Sequence, residues 1–415
     1  MASPTSSDNY VLGSEDLDKR APYWKKYDHR TLEAVTKETR ELGEQWKGKG
    51  EKYRGELPPR LSYGFQRARR NAGAPTRQQL YDAHLELKDE QVPRNPVWKD
   101  QQKAVRGEYI NIAIVSPYKQ SASLRPCFIY VHGGARIGGN QYTGLLDNGK
   151  VWSSEFDAIT VSVDYRLSPG VVEDEDGKVT LEATHEGPAN DCHDVIEWVS
   201  NTIGKEGPLQ YADPSRIILI GSSAGGGIAV GAALKWNTNK DTPLPAGGIM
   251  LEAPQLDDRC DTASHKQYCE GNMFNSVDAR YGWDMSLNPN GGDNPGEATI
   301  YEAPARAGVD DLWRLPPTYL DVGTVEPFRD EVSEFAARLK EAGVPTDLET
   351  YEGGWHGSVS VADAPISQFC VHARLYWLSK ALGSNDGKYK TNYDNAKVAW
   401  ENDKKLQEKE GIQKK

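Results

Sequence analysis

Short apolar runs and helix-patterned segments take turns along most of this chain, and that alternation restricts the fold more than any other feature. The runs "GEYINIAIVSP" (107–117), "PCFIYVHGG" (126–134), "FDAITVSVDYRLSP" (156–169) and "SRIILIG" (215–221) are rich in β-branched and aromatic residues. So are "AGGIMLEAP" (246–254), "PTYLDVG" (317–323) and "TDLETYEG" (346–353). Helical patterns lie between them, over 189–203, from Ala224 to Leu234, over 328–343 and over roughly 359–381. Several runs are apolar throughout instead of alternating, so each reads as a strand buried on both faces. This predicts an α/β fold with a mostly parallel central sheet flanked by helices.

The flanks read differently. Residues 1–18 are polar and predicted to be disordered. Residues 19–104 read as a helical N-terminal region, with one helix near 29–46 and a second over "TRQQLYDAHLEL" (76–87), where Thr76 can cap. The alternating region spans 105–385. Residues 386–415 are highly charged and read as a solvated C-terminal helix or tail.

Charge and cysteine usage narrow the function classes. The 415 residues carry 61 acidic and 49 basic side chains, a formal net charge of −12, which argues against nucleic acid or an anionic membrane as partner. No stretch approaches the roughly 20 apolar residues of a membrane-spanning helix, and no secretory leader is expected. The five cysteines (127, 192, 260, 269 and 370) form no CxxC pair, so neither a disulfide framework nor a zinc site is expected. A reducing compartment, the cytoplasm, is the expected location.

One strand-to-helix junction carries chemistry. In "ILIGSSAGGGIAV" (218–230) only Ser223 has glycines two residues to either side, Gly221 and Gly225; Ser222 does not. A serine on a sharp turn between a buried strand and a small-residue helix lifts its Oγ above the sheet edge. The stretch lacks the Lys-Ser/Thr of a phosphate-binding loop, so Ser223 reads as a nucleophile. It then needs a base and an acid to orient the base. Of the histidines that follow, His265 lies in a polar loop, His372 in an apparent helix, and His356 in the glycine-rich loop "YEGGWHGSV" after a strand. His356 is the expected base. "YLDVGTVEPFRDE" offers Asp321, Glu326, Asp330 and Glu331; Glu326, in the loop before Pro327, is the expected acid, with Asp330 next. The loop His132-Gly133-Gly134-Ala135 and Ala224 can supply backbone N–H donors to an oxyanion, with His132 holding the loop. Trp283, Trp313 and Trp355 suit either a pocket wall or the core.

Over roughly residues 105–382 these motifs, in this order, resemble the hormone-sensitive-lipase-like group of α/β-hydrolases. "HGGAR" resembles that group's HGGG loop, "VDYRLSPG" its DYRLAPE segment and "GSSAGG" its GDSAGG elbow. "APQLDDR", "YEAPARA", "GTVEPFRDE" and "YEGGWHG" also match recurrent stretches. The resemblance implies an α/β-hydrolase fold with a helical N-terminal cap over the acyl site. It implies Ser223, Glu326 and His356 as catalytic set, oxyanion donors from Gly134, Ala135 and Ala224, and hydrolysis of a small carboxylic ester through an acyl-enzyme without cofactor or metal. The alternatives are an acyltransferase, a lactonase or a metabolite-tailoring enzyme on the same scaffold, or a non-catalytic small-molecule receptor, which His356 argues against. The oligomeric state stays open. Four positions depart from the group's pattern: Glu326 for the usual Asp, Ala135 for the third glycine, Ser222 for an Asp, and Ser358 for an aromatic residue. The insertion 171–185 and the long N-terminal region depart as well.

Overall fold

The seven expected strands line up with an eighth, from the region expected to be helical, in one sheet of order β1-β2-β4-β3-β7-β8-β9-β10. The computed structural model describes residues 75–96, 108–118, 121, 123–173, 179–269, 274–289, 297–384 and 387–409. The sheet strands are β1 (Leu85–Pro93), β2 (Tyr109–Pro117), β3 (Arg125–Val131), β4 (Ile159–Val163), β7 (Ala212–Ser222), β8 (Gly248–Glu252), β9 (Thr318–Gly323) and β10 (Thr346–Tyr351). From β4 onward across the sheet every pairing is parallel; β1 and β2 form an antiparallel margin. The insertion after β4 holds a separate antiparallel pair, β5 (Gly170–Glu173) and β6 (Val179–Glu182).

The helices are α1 (Arg77–Asp82), α2 (Lys150–Phe156), α3 (Gly187–Thr202), α4 (Ala224–Asn239), α5 (Ala263–Gln267), α6 (Ser276–Leu287), α7 (Val309–Leu312), α8 (Arg329–Glu341), α9 (Pro365–Ala381) and α10 (Gly387–Lys409). Side chains alternate across each strand, so the apolar runs feed two cores. Ile129, Val131, Leu219 and Leu251 pack with Val195 of α3, Ile228 of α4 and Phe335 of α8. Phe128, Tyr130, Ile218, Ile220 and Met250 face the other way, toward Trp152 of α2 and Trp377 and Leu378 of α9. Among the described residues no helix is long and apolar enough to cross a membrane. All five cysteines are buried, and none is bonded to another.

Two readings of the flanks change. The helix expected over 76–87 stops at Asp82, although Thr76 caps it as expected, with a reciprocal Gln79 bond. His84 takes a left-handed φ of 57°, and Leu85–Pro93 then pairs residue for residue with β2. Leu80, Ala83 and Leu87 fit a helical face, but Leu85 and Leu87 also fit a strand, and pairing with β2 decides between them. The sheet therefore begins before residue 105. The expected disorder of 1–18 and the helix near 29–46 lie outside the described residues.

The C-terminal segment is a helix, but not a fully solvated one. Tyr389, Ala396 and Trp400 of α10 are buried. Trp400 stacks on Phe369 of α9 at 5.2 Å between ring centroids. That cluster also holds Trp355, next to His356, and Lys404 of α10 pairs with Glu352 of the same loop at 2.8 Å. Truncating a buried aromatic side chain costs about 3–5 kcal/mol. Trp400→Ala is therefore expected to lower the unfolding free energy in urea by about that amount, while Val398→Ala, 55% exposed on the same helix, changes it by less than about 0.5 kcal/mol. Equal, small effects would return α10 to the status of a loose appendage.

Candidate active site

Ser223 occupies the single residue between the last position of β7 and the first of α4. Its φ of 54° and ψ of −123° are a strained combination for a residue with a side chain. Three backbone bonds hold it: Ser223 N–H donates to Glu252 O at 2.8 Å, and Ser223 O accepts from Gly226 and Gln255 N–H at 2.9 Å each. The crossing of α4 over the end of β3 explains the small residues. A Cβ at Gly225 would lie 2.1 Å from Val131 O, so only glycine fits there.

The three residues picked from sequence for nucleophile, base and acid come together. His356 Nε2 lies 3.0 Å from Ser223 Oγ, and His356 Nδ1 lies 2.7 Å from Glu326 Oε2. Glu326 is buried, and its other oxygen accepts from Gly323 N–H at 2.8 Å, so both oxygens of the longer carboxylate are fixed. The loops that carry them are tied to each other. Thr324 N–H bonds Tyr351 O, Val325 N–H bonds Gly354 O, and Gly353 N–H bonds Thr324 Oγ1. The His356 ring is held between Phe274 and Phe328, at centroid distances of 4.9 and 5.1 Å.

The other acids point elsewhere. Asp330 pairs with Arg329 and accepts from Ser264 N–H. Asp321 is buried against Arg374 at 2.6 Å. Glu331 binds His265 Nε2 at 2.9 Å and takes Leu256 N–H at 2.7 Å. His265 is thus not a polar-loop residue: it is buried in α5, with Nδ1 3.0 Å from Ser276 Oγ. This second Ser–His–Glu set is a brace, because Ser276 gives its hydroxyl proton to His265 O at 2.6 Å and the set is sealed from solvent. Burial pushes the Glu331 carboxyl up to about 7. His372 sits in α9, half-buried.

The loop after β3 lies against the elbow. Gly134 has φ +128°, where a Cβ would meet Gly138 O at 2.1 Å, and its carbonyl accepts from Ile137 and Gly138 N–H. A Cβ on Gly133 would lie 3.1 Å from Ser223 Cβ, so this backbone packs directly on Ser223. The Ala135 side chain does not crowd the serine; it is buried in a cluster with Ile137, Tyr281 and Met285. His132 Nδ1 donates to Gly133 O at 2.7 Å, and its ring stacks on Tyr165 at 4.3 Å. Burial pulls its pKa down to about 4, so it is neutral and holds the loop. Ala224 opens α4, where the first N–H groups lack intrahelical partners and the helix dipole is positive. Trp283 and Trp355 are core residues, and Trp313 is exposed.

Sequence reasoning missed Arg374. Its guanidinium bonds both oxygens of Asp321 and reaches Glu252 at 3.3 Å, while Ser222 bonds the same Glu252 carboxyl. Burial opposes the charge on Arg374, but Asp321 and Glu252 overcome it and hold its pKa well above the ordinary value. One cation from α9 thereby fastens the ends of β8 and β9, which flank the elbow and the Glu326 loop. Its only sequence signal was an arginine inside the apolar stretch "FCVHARLYWL". Arg374→Met leaves two buried carboxylates unpaired and is expected to cost about 3–5 kcal/mol in urea unfolding, whereas Lys380→Met, from an exposed pair with Asp347, costs under about 1 kcal/mol.

Comparison with known proteins bears on the fold and the family. Residues 128–360 match the family described as alpha/beta hydrolase fold. An arylesterase of Saccharolobus solfataricus is 27% identical over 277 residues, covering 65% of this chain and 80% of the relative. The esterase LipI of Mycobacterium tuberculosis is 29% identical over 258 residues, covering 57% and 67%. Among solved structures, a bacterial heroin esterase superposes with a TM-score of 0.59 at 28% identity, covering 72% of this chain and 85% of its own. The chain belongs to the alpha/beta hydrolase fold family, as one of its hormone-sensitive-lipase-like esterases.

Proposed function

We propose that this carboxylesterase-type hydrolase cleaves small carboxylic esters through an acyl-enzyme, with Ser223 as nucleophile, His356 as general base and acid, and Glu326 as the group that orients His356. The observation that carries the reading is the continuous relay Ser223 Oγ–His356–Glu326, with contacts of 3.0 and 2.7 Å. His356 takes the serine proton as Oγ attacks the ester carbonyl, and Glu326 steadies the imidazolium that forms. The N–H groups of Gly134, Ala135 and Ala224 receive the developing oxyanion; one such donor is worth about 3–4 kcal/mol in other hydrolases. The proton on His356 passes to the leaving alcohol. Water, deprotonated by His356, then releases the acid and restores Ser223.

A receptor on this scaffold needs no aligned base, and the relay favours the enzyme. The burial of Ser223 and the aromatic walls on His356 keep bulk water from the reacting atoms.

A fluorophosphonate probe is expected to label the folded protein once, at Ser223, and Ser223→Ala is expected to abolish labelling. Folded protein that resists the probe would overturn the acyl-enzyme reading. Glu326→Ala is expected to lower kcat/KM for p-nitrophenyl acetate roughly 10⁴-fold, the size of the loss when a triad carboxylate goes. Asp330→Ala is expected to lower it less than about tenfold. The reverse ranking would transfer the orienting role to Asp330.

A further inference from the structure

The loop after β3 is held in a shape that its own residues disfavour. Ile137 N–H donates to Gly134 O at 3.0 Å, so Gly134–Ile137 is a four-residue turn. Its central residues, Ala135 and Arg136, have φ of 52° and 66°. Positive φ at both central positions is what a type I′ turn requires, and glycine, asparagine and aspartate are the residues that usually supply it. Alanine and arginine have no local reason to adopt it. Such a backbone persists only where contacts from outside over-determine it.

Arg136 makes those contacts. It is buried, and its carbonyl accepts Ser168 N–H at 2.8 Å. Its guanidinium carbon sits over Trp283 of α6, 3.9 Å from the ring centroid, and Nη2 donates to Glu302 O at 3.0 Å. A Cβ on Gly227 would come within 3.1 Å of Nη2, so the same group lies against the first turn of α4. The residue before Trp283 meets the other half of the turn: a Cβ on Gly282 would lie 2.4 Å from Ala135 O. Burial pulls the Arg136 pKa down to about 10, which leaves it a cation at neutrality. A planar guanidinium packs on a ring and donates hydrogen bonds at once, and a cation over an aromatic face is held more strongly when desolvated. One side chain thereby joins the turn to α4, α6 and Glu302.

We propose that Arg136 is a positioning residue: its seat over Trp283 keeps the Gly134–Ile137 turn in the left-handed form that aims the Gly134 and Ala135 N–H groups at the oxyanion formed on Ser223. The proposal rests on the acyl-enzyme reading above. The peptide planes of a turn rotate with its φ and ψ, so a relaxed turn would carry those N–H groups off line. A donor aimed at charge that develops only in the transition state acts on kcat more than on KM.

Two measurements on folded variants test it. With p-nitrophenyl acetate, Arg136→Met is expected to lower kcat about 100-fold, the effect of moving a catalytic group by about 1 Å, and to change KM less than about threefold. Trp283→Leu is expected to match it, and Trp283→Phe, which keeps an aromatic face, to recover to within about fivefold of the original kcat. The Arg136→Met/Trp283→Leu double variant is expected to fall no further than either single one. A trifluoromethyl ketone gives the second reading. Ser223 Oγ bonds its carbonyl carbon, His356 takes the serine proton, and the carbonyl π pair becomes an oxyanion. Its affinity is expected to fall about 100-fold in Arg136→Met, in step with kcat. Where Arg136→Met does not fold, Trp283→Leu and Trp283→Phe carry both measurements. Variants that keep kcat and ketone affinity, that change KM alone, or whose losses multiply in the double variant overturn the positioning role and leave the hydrolase reading intact. Unsubstituted protein that neither turns over the ester nor binds the ketone overturns both.

Discussion

At Ser223 the backbone must pass from strand to helix within one residue, and the rest of the active edge is arranged around that turn. Such a conformation costs on the order of 1–3 kcal/mol and persists only where its surroundings over-determine it. Here they do: one N–H and one carbonyl of Ser223 make three bonds, one to the end of β8, one to the loop after it and one within α4. The close approach of Gly225 to Val131 O then forces the first turn of α4 against the end of β3. The His132–Ala135 loop thereby lies beside the same turn that lifts the serine. Strain, glycine placement and the position of the His132–Ala135 loop are one constraint met from three directions.

Electrostatics does the second part of the work. The chain is acidic, yet its buried charges are grouped. Arg374 serves Asp321 and Glu252, Arg94 and Arg166 share Asp191, and Glu331 meets His265. Each group joins segments distant in sequence near the carboxyl ends of the strands. Buried ion pairs are weak evidence for extra stability, because desolvation offsets the attraction. Their effect here is positional: a displaced loop would strand a charge in the interior.

What the sequence discloses depends on how local the signal is. The order of strands and helices was legible because fully apolar runs have few alternatives. Ser223, Glu326 and His356 could be singled out because each has a local marker: flanking glycines, a loop before proline, and a glycine-rich loop after a strand. Arg374 has no such marker, since its partners are on β8 and β9. His265 looked exposed because "DTASHKQYC" is polar by composition; its burial comes from Glu331 and Ser276, which no local pattern brings near. The start of β1 reads as helix because a stretch with leucines at 80, 85 and 87 satisfies both periodicities until a neighbouring strand selects one. α10 reads as solvated because its charges outnumber the few aromatic residues that anchor it.

The buried cysteines have a consequence for the chemistry of the folded chain. Thiols react as thiolates, and burial pushes Cys127 up to about 12 and raises Cys192, Cys260 and Cys370 as well. None of these four is ionised to any useful extent near neutrality, so while the fold holds, thiolate chemistry at these positions is suppressed, and oxidation there waits on local opening of the chain.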